Sequence, residues 1–450
     1  MISPTHHKVK GISSFKTMND FTHERLMEGR RVGLINLGCA RNLVDSQTLL
    51  GTLKRKGHRI VDIHEADMAI VNTCSFIEEA RRESIDTILD LIELKKQGKI
   101  KRIIVAGCLA QRYGAQLAKE LKEVDAFVGT PTLPKARLLE QVLLTPSYLA
   151  YVKICESCFN QCSFCAIPKI KGKFVSRTIE SIVKEVERLD AQGVKEINII
   201  GQDITAYGMD IYREKSLAKL LKAMAAATKN IQWIRLLYAF PAHMTDELIE
   251  VIATEPKICK YIDIPLQHIS DSILQSMRRG ITKQETMDLI AKIRVQIPHV
   301  SLRTTFIVGL PGENEERFQE LLSFVKNFQF ERVGVFIYSR EEGTEAYDFL
   351  DQVPAKIKKH RLDILMHHQK EISHQLQERL IGRTLKVLIE ERQENEQNIY
   401  IGRSEYDAPE VDGVVYVHSL NTLQPGDFVN VLITDAYEYD LAGEVYASNS

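Results

Sequence analysis

Four cysteines, Cys155, Cys158, Cys162 and Cys165, fall within eleven residues of the stretch YVKICESCFNQCSFCAIP at 151–168. They are half of the eight cysteines in a 450-residue chain. Nothing resembling an export signal precedes them, so cysteines this dense read as metal ligands rather than disulfides. Paired zinc knuckles stand roughly fifteen to twenty residues apart, whereas only three residues separate these two pairs, too few to close a tetrahedral site. An iron-sulfur cubane fits better, because its iron corners are spread far enough for a short loop to reach them with successive thiolates. Two assignments follow. Either four cysteines saturate a cluster that only carries electrons, or Cys158, Cys162 and Cys165 hold three irons and leave the fourth open.

The C-x3-C-x2-C spacing, with aromatic Phe164 just before the last cysteine and a short strand ahead of the loop, resembles the radical S-adenosylmethionine (SAM) superfamily. That resemblance implies a 4Fe-4S cluster on Cys158, Cys162 and Cys165 whose open iron chelates the amino and carboxylate groups of SAM. It also implies that an electron from the reduced cluster cleaves the sulfonium to a 5'-deoxyadenosyl radical. The family pattern requires no cysteine at Cys155, which is therefore a spare thiol or a competing ligand.

Hydrophobic residues make up 44% of the chain, enough for full cores, and the length suits about three domains. Lys plus Arg number 59 and Asp plus Glu 60, so the total charge says nothing about partners and only its distribution can. No run of about eighteen apolar residues occurs and the N-terminus has no continuous apolar segment, which predicts no membrane association and a cytoplasmic, reducing setting. Residues 1–29, with scattered His, Lys, Ser and Thr and little periodicity, read as a flexible leader without an assigned function.

From Arg31 short apolar runs alternate with amphipathic stretches, the pattern of a doubly wound parallel sheet. Strands are expected at 31–37, 68–72 and 102–106, each followed within two residues by a cysteine: Cys39, Cys74 and Cys108. In open α/β sheets the loops at the carboxyl ends of the strands form the binding crevice, so these thiols are expected to converge at one edge. Three separately buried apolar cysteines are the plainer alternative. Recurrence at one position of each βα unit argues instead for a second cubane with another open iron. The segments LGCARNLVDS, NTCSFIEEA and GCLAQRY resemble the N-terminal domain of the methylthiotransferases. That resemblance implies an auxiliary 4Fe-4S cluster on Cys39, Cys74 and Cys108 that carries the sulfur to be transferred. Pro131, Pro134 and Pro146 mark 130–147 as a connection, giving an N-terminal domain over 30–147.

Past the central cysteines, apolar β-rich runs recur at 151–154, 196–200, 233–238, 261–264, 302–308 and 333–338, separated by helical stretches that include 179–192, 217–229, 246–254 and 283–296. Six βα units over about 190 residues are too few for a closed eight-stranded barrel of about 250. They read as an open six-unit (β/α) barrel, the form typical of radical SAM cores, spanning 148–381 with its connecting helix. The cysteine loop then lies at the top of the first strand, where barrel active sites lie. Gly201, Gln202 and Asp203 follow the second strand, Gln267 ends the fourth, and Arg303 lies in the fifth. The resemblance implies that these residues and Phe164 contact SAM, Gly201 by permitting close backbone approach. The alternative is that each is a buried residue satisfied by its own structural partners. The loop at 309–313 lacks the lysine and spacing of a phosphate loop, so nucleotide hydrolysis is not expected. The stretch 356–380 carries His360, His367, His368 and His374 but no evident acidic third ligand, and reads as a solvated connecting helix. Cys259 reads as buried and inert.

After residue 382 short runs at 384–389, 400–403, 413–417, 428–436 and 441–445, with a turn at Pro425, Gly426 and Asp427, predict a small antiparallel β-barrel over 382–450. It resembles a TRAM domain, a module that in relatives of such enzymes binds RNA. From Arg383 to Ser450 four basic residues stand against thirteen acidic ones, a net of minus nine. RNA affinity comes largely from Lys and Arg neutralising phosphates, so nucleic-acid binding by this domain is disfavoured. An acidic barrel attracts a basic protein instead. The stretch GRSEYDAPEVDG at 402–413 resembles the methylthiotransferase branch that modifies a ribosomal protein, and with WIRLLY at 233–238 the resemblance covers essentially 31–447.

Taken together, the resemblance implies an enzyme that adds a methylthio group to the β-carbon of an aspartate in small-subunit ribosomal protein twelve. An unactivated C–H bond has no acidic proton for a side chain to remove, so a cofactor must supply radical chemistry. A sulfur-bearing second cluster must then reach the substrate radical. The implied partners are that basic ribosomal protein and an electron donor, and nothing in the sequence demands more than a monomer. The nearest alternative, a methylthiotransferase for a modified adenosine of tRNA, predicts a basic C-terminal barrel. A non-catalytic electron carrier predicts two saturated clusters, whereas only the central loop offers four cysteines.

Overall fold

In the computed structural model five parallel strands, β1 (Arg31–Asn36), β2 (Arg59–Ile60), β3 (Met68–Thr73), β4 (Arg102–Gly107) and β5 (Ala126–Val128), form one sheet in the order β2-β1-β3-β4-β5. Alternate side chains of its central strands serve opposite faces. Met68, Ile70, Ile104 and Ala106 pack with Leu49 and Leu53 of helix α1 (Ala40–Arg55). Ala69, Val71, Ile103 and Val105 pack with Ile88 and Leu91 of α2 (Glu78–Lys96) and Leu109 of α3 (Cys108–Glu120). A sheet covered on both faces needs such continuous apolar runs, and the doubly wound expectation holds. The strands that sequence reading missed, β2 and β5, are edges of two and three residues, too short to display a period.

The structure describes residues 30–131, 133, 141–394 and 396–446; the leader expected at 1–29 and much of the connection expected at 130–147 lie outside the described residues. The described chain divides into two compact units, the first holding 30–131 with 141–144 and the second running from 145 onward.

The second unit opens with β6 (Leu149–Lys153) and a hairpin of β7 (Cys155–Glu156) and β8 (Val175–Ser176), which brackets the cysteine loop and the short helix α4 (Ile167–Lys171). Then follow β9 (Glu196–Ile200), β10 (Trp233–Leu236), β11 (Ile258–Asp263), β12 (Ser301–Val308) and β13 (Arg332–Ile337). With β6 they form an open parallel sheet in sequence order, β6-β9-β10-β11-β12-β13, the six-unit arrangement expected. The crossovers include α5 (Ile179–Ala191), α6 (Leu217–Ala227), α7 (Asp246–Thr254), α8 (Asp271–Ser276), α9 (Lys283–Gln296) and α10 (Glu315–Phe328). Side chains cap several of their first turns: Thr178, Thr245 and Asn314 each accept from a backbone N–H, and Thr282 with Glu285 forms a reciprocal box. Strand β10 ends two residues before the expected 238, because Tyr238 turns to φ +70° and gives its N–H to Asp263 Oδ2 at 2.9 Å.

Helix α11 (Ala355–Glu378) buries Leu365, Gln369, Ile372 and Gln377 and leads into β14 (Thr384–Arg392), β15 (Ile399–Ser404), β16 (Val415–His418), β17 (Phe428–Ala436) and β18 (Leu441–Val445). These close a barrel in the order β14-β15-β16-β18-β17. Four pairings are antiparallel; the fifth, β16 with β18, is parallel. Two chain reversals separate those strands, so β18 runs along β16 within the antiparallel barrel expected.

The barrel and the sheet share the second unit, and segment 402–413 lies in the seam between them. Buried Arg403 donates to Glu196 Oε2 at 2.8 Å and to Glu390 Oε1 at 2.9 Å. Arg332 donates to Asp407, and Tyr261 Oη donates to Asp412 Oδ2 at 2.7 Å. The stretch 233–238 meets the same seam: Trp233 packs edge-on to Phe428 at 4.7 Å, and Arg235 donates to Glu196 Oε1 at 2.9 Å and to the Glu405 carbonyl at 2.6 Å. Among the described residues no helix is long and apolar enough to cross a membrane.

Candidate functional site

The loop carrying Cys158, Cys162 and Cys165 follows β6 and β7, at the carboxyl end of the first strand of the sheet. Its shape is pinned from within and from far along the chain. Cys165 N donates to Cys162 O at 3.1 Å, Ser163 N to Met277 O at 3.1 Å, and Ala346 N to Ser163 O at 2.9 Å. Phe164 packs against Ile273, Met277, Leu310, Tyr338 and Ala346, so it anchors the loop in an apolar cluster. The three thiols are only partly buried. Asn160 directs its backbone N–H and its Nδ2 at Cys158 Sγ, at 3.4 and 3.5 Å, and Arg279 Nη1 stands 3.5 Å from Cys162 Sγ. Burial, with the carboxylate of Asp203 adding to it, pushes the Cys158 thiol up to about 11 against the Asn160 donors. Burial pushes Cys165 up to about 12. At neutral pH such thiols give up their protons to a metal, not to water.

Cys155 is set apart. It is fully buried, its Sγ lies 3.5 Å from the Asp203 carbonyl, and it occupies the space where a Cβ on Gly201 would come within 2.4 Å. Packing against Cys155 thus gives Gly201 a reason to be glycine of its own. Asp203 likewise has its oxygens engaged within the protein. Oδ1 accepts from Thr205 N at 3.0 Å, Thr205 Oγ1 at 2.5 Å and Ala206 N at 3.3 Å; Oδ2 meets Asn160 Nδ2 and His243 Nδ1, both at 2.8 Å. Arg303 stands 3.6 Å from Asp412 and 3.9 Å from Asp263. Gln202 and Gln267 differ. Gln202 donates Nε2 to Glu156 Oε1 at 2.9 Å and leaves Oε1 buried without a partner. Gln267, held at φ +74° by a backbone bond to Thr305 O at 2.8 Å, also leaves its Oε1 buried without a partner. Two orphaned acceptors at strand tops suit an ammonium donor.

In the first unit Cys39, Cys74 and Cys108 follow β1, β3 and β4, three adjacent strands. Two glycines let the loops close up. Gly38 at φ +87° passes so near Cys74 that a Cβ would lie 2.7 Å from the Cys74 Cβ, and a Cβ on Gly107 at φ +92° would lie 2.3 Å from Asn72 Oδ1. Asn42 ties the three loops together: its Nδ2 donates to Leu37 O at 3.0 Å and Thr73 O at 3.1 Å, and its Oδ1 lies 3.8 Å from Cys108 Sγ. Asn72 donates to Asn42 O and to Ser46 Oγ, both at 2.8 Å, beneath them. Burial works to raise the Cys39 thiol, but Arg41, whose Nε is 3.4 Å away, and local backbone N–H groups outweigh it and lower it. Burial raises the Cys74 thiol. Among the described residues no three His, Cys, Asp or Glu side chains converge on a point for a single ion. A cubane asks instead for thiolates spread by its own width.

Sequence reading missed Asn42, Asn160, His243 and Arg279. Asn160 lies between Cys158 and Cys162, and Asn42 three residues after Cys39, so those signals were present. Arg279 reaches Cys162 across 117 positions, which no local pattern shows. The loop at 309–313 is an internal latch: Glu313 accepts from Gly309 N at 3.0 Å and pairs with Arg361 at 2.8 Å. On α11 His367 and His368 face Glu371, and His374 faces Glu378. Cys259 is buried, and burial pushes its thiol up to about 12.

Residues 152–325 match the model of the radical SAM superfamily, residues 31–129 that of the uncharacterized protein family UPF0004, and residues 381–445 that of the TRAM domain. Over 440 residues the chain is 48% identical to the ribosomal protein uS12 methylthiotransferase RimO of Thermoanaerobacter sp. (strain X514), covering 92% of this chain and 100% of the relative. The RimO of Clostridioides difficile (strain 630) is 45% identical over 440 residues, covering 92% and 98%. Among solved structures, the radical S-adenosylmethionine methyltransferase TsrM from Kitasatospora setae, with cobalamin and a [4Fe-4S] cluster bound, superposes with a TM-score of 0.50 at 14% identity, covering 69% of this chain and 72% of that one. That likeness concerns the fold alone.

Proposed function

The chain belongs to the RimO family of methylthiotransferases, and on that premise we propose that it adds a methylthio group to the β-carbon of an aspartate in ribosomal protein uS12. It is a radical SAM enzyme. The observation that carries the reading is the presence in one chain of two cysteine sets at strand tops, a C-x3-C-x2-C loop and three cysteines on adjacent strands. Cys158, Cys162 and Cys165 would hold one 4Fe-4S cluster and Cys39, Cys74 and Cys108 a second. The first, with SAM, supplies the hydrogen-abstracting radical, and the second supplies sulfur.

The chain's own residues prepare that chemistry. Three thiols in one pinned loop, with a vicinal Asn160 donor and Arg279 beside them, suit a cluster with one open corner. Gln202 Oε1 and Gln267 Oε1 would accept from the amino group of SAM. Asp203 is a positioning residue that orients Asn160 and His243. Arg303, near Asp263 at the end of β11, would complete the SAM site from the sheet. In this reading residues 30–147 handle sulfur, 148–381 the radical step and 382–450 the docking of the basic protein, in the cytoplasm and with an electron donor as second partner.

The test is an anaerobic incubation of reconstituted protein with SAM and a reductant, given uS12 in one tube and an adenosine-modified tRNA in another, with substrate mass as the readout. A methylthio gain on an aspartate of uS12 alone is expected. Transfer to the tRNA alone would overturn the substrate and leave the two-cluster chemistry standing.

A further inference from the structure

At the amino ends of β12 and β13, the opposite end of the sheet from the cysteine loop, a cavity of about 270 Å³ opens between α9, α11 and the barrel residue Tyr406. Its volume is just below the ~300 Å³ at which small-molecule sites begin. The lining carries Arg294, Arg332, Arg379, Arg383 and His299 against a single carboxylate, Glu331. That carboxylate is already engaged: Arg294 holds it at 2.9 and 3.2 Å, and the Leu302 N–H donates to it at 2.9 Å. Arg332 is more than nine-tenths buried and pairs with Asp407, yet its Nε is buried without a partner.

Arg379 and Arg383 make no ion pair among the described residues. Arg379 reaches only Gln329 Oε1, at 3.5 Å, and Arg383 Nη1 lies 3.3 Å from His299 Nδ1. With Nδ1 turned to a guanidinium, His299 accepts there and keeps Nε2–H as a donor. Ile297, Val300 and Leu380 supply apolar walls that strengthen charge interactions inside. Two uncompensated guanidiniums, an imidazole donor and a buried orphan N–H are a donor set without an acceptor.

We propose that this cavity is a second binding site, for a phosphate group, with Arg379 and Arg383 as its charged ligands and His299 and Arg332 Nε as additional donors. Guanidinium forks match phosphate oxygens in geometry as well as charge. The phosphate can be free orthophosphate or the terminal phosphate of a nucleic acid. The site is independent of the transferase reading, and either can fail without the other.

The test is calorimetric titration of the full chain with orthophosphate at fixed ionic strength, and separately with a short RNA carrying or lacking a 5' phosphate. Arg379→Gln/Arg383→Gln is the variant; both side chains are exposed, so the fold is not at stake, and circular dichroism checks it. Saturable binding of one phosphate per chain, weakened at least tenfold in the variant, is expected. RNA binding tighter than orthophosphate, and dependent on the 5' phosphate, would identify nucleic acid as the source; orthophosphate binding alone would identify the free ion. Absence of saturable binding to either probe, or binding unchanged in the variant, would overturn the proposal.

Discussion

Arg403→Met tests the seam between barrel and sheet. The Arg403 guanidinium donates to Glu196 at 2.8 and 3.5 Å, to Glu390 at 2.9 Å and to the Asp407 carbonyl at 2.9 Å, and both Arg403 and Glu196 are almost wholly buried. Burial pushes the Glu196 carboxyl up, but Arg403 and Arg235 outweigh it and bring it down to about 2, against 4.5 for a free glutamate. At about 1.4 kcal/mol per tenfold in affinity for the proton, that difference is worth roughly 3 kcal/mol at pH 7. Breaking a buried pair from one side costs about 3–5 kcal/mol by analogy with other proteins. Arg235 remains beside Glu196 in the variant, which places the expected loss near the lower figure, about 3 kcal/mol.

In a unit of this size each kcal/mol moves the melting midpoint by roughly 2 °C, so Arg403→Met should melt about 6 °C lower in scans at one heating rate. Arg392→Met, on an exposed barrel position, should change stability by less than about 0.5 kcal/mol. The pH dependence has a definite sign. A carboxyl held lower in the folded state stabilises fully above its unfolded value and loses that contribution as pH falls toward the folded one. The gap between wild type and Arg403→Met should therefore be widest above pH 4.5 and narrow between 4.5 and about 2. A loss below ~1 kcal/mol at pH 7, or a gap that widens in acid, would refute the seam as a buried charge network.

Three further outcomes are expected. Replacing Cys158, Cys162 and Cys165 together by alanine, or Cys39, Cys74 and Cys108 together, should each halve the iron bound after anaerobic reconstitution, from about eight to about four per chain; full loading of either variant removes that set from the ligands. Gly201→Ala should cost about 1–3 kcal/mol in urea denaturation, because the new methyl meets Cys155 Sγ at 2.4 Å, and adding Cys155→Ala should recover part of it. No recovery would mean that the strain lies elsewhere. Asn160→Ala removes a side-chain N–H from Cys158 and should make the cluster harder to reduce, by roughly 40 mV for a bond of about 1 kcal/mol, read in a redox titration by electron paramagnetic resonance. An unchanged potential would make Asn160 a purely structural residue.

The elements could be read from the sequence because both sheets announce themselves by continuous apolar runs, which only strands covered on two faces require. Strand ends were less legible. Tyr238 continues an apolar run but leaves β10 because a carboxylate 25 positions away captures its N–H. The cysteine spacing was legible because three thiols on one short loop are close in space by chain connectivity alone. The groups around the sulfurs were not, since Arg279 reaches Cys162 from the segment between α8 and α9, and His243 reaches Asp203, the partner of Asn160, from beyond β10. Gly201 and Asp203 have structural partners that the sequence does not display. A glycine and an acid in the expected place have packing and hydrogen-bonding reasons of their own, Cys155 for one and the Asn160 and His243 side chains for the other.

The charge of the C-terminal barrel also changes meaning once the barrel is seated. Its net of minus nine includes Asp407, Asp412 and Glu438, which face Arg332, Arg303 and Lys370 from outside the barrel, so three of the nine are offset and six remain. Glu390 and Glu405 are turned to the seam as well, the first to Arg403 and the second to the Lys260 N–H at 3.0 Å. The rest is spread over the barrel: Glu391, Glu394 and Glu396 are exposed at the β14 to β15 turn, and Glu410, Asp427, Asp435 and Glu444 are exposed elsewhere. The barrel's single buried arginine is unavailable to any phosphate, and its exposed Arg383 belongs to the cavity at the junction. Lys386 and Arg392 are the exposed cations that remain, too few beside the acidic excess to neutralise a nucleic-acid backbone. The acidic excess left on the barrel is smaller than the sequence total implied, and charge of that kind sets the orientation of an approaching partner more than the strength of binding.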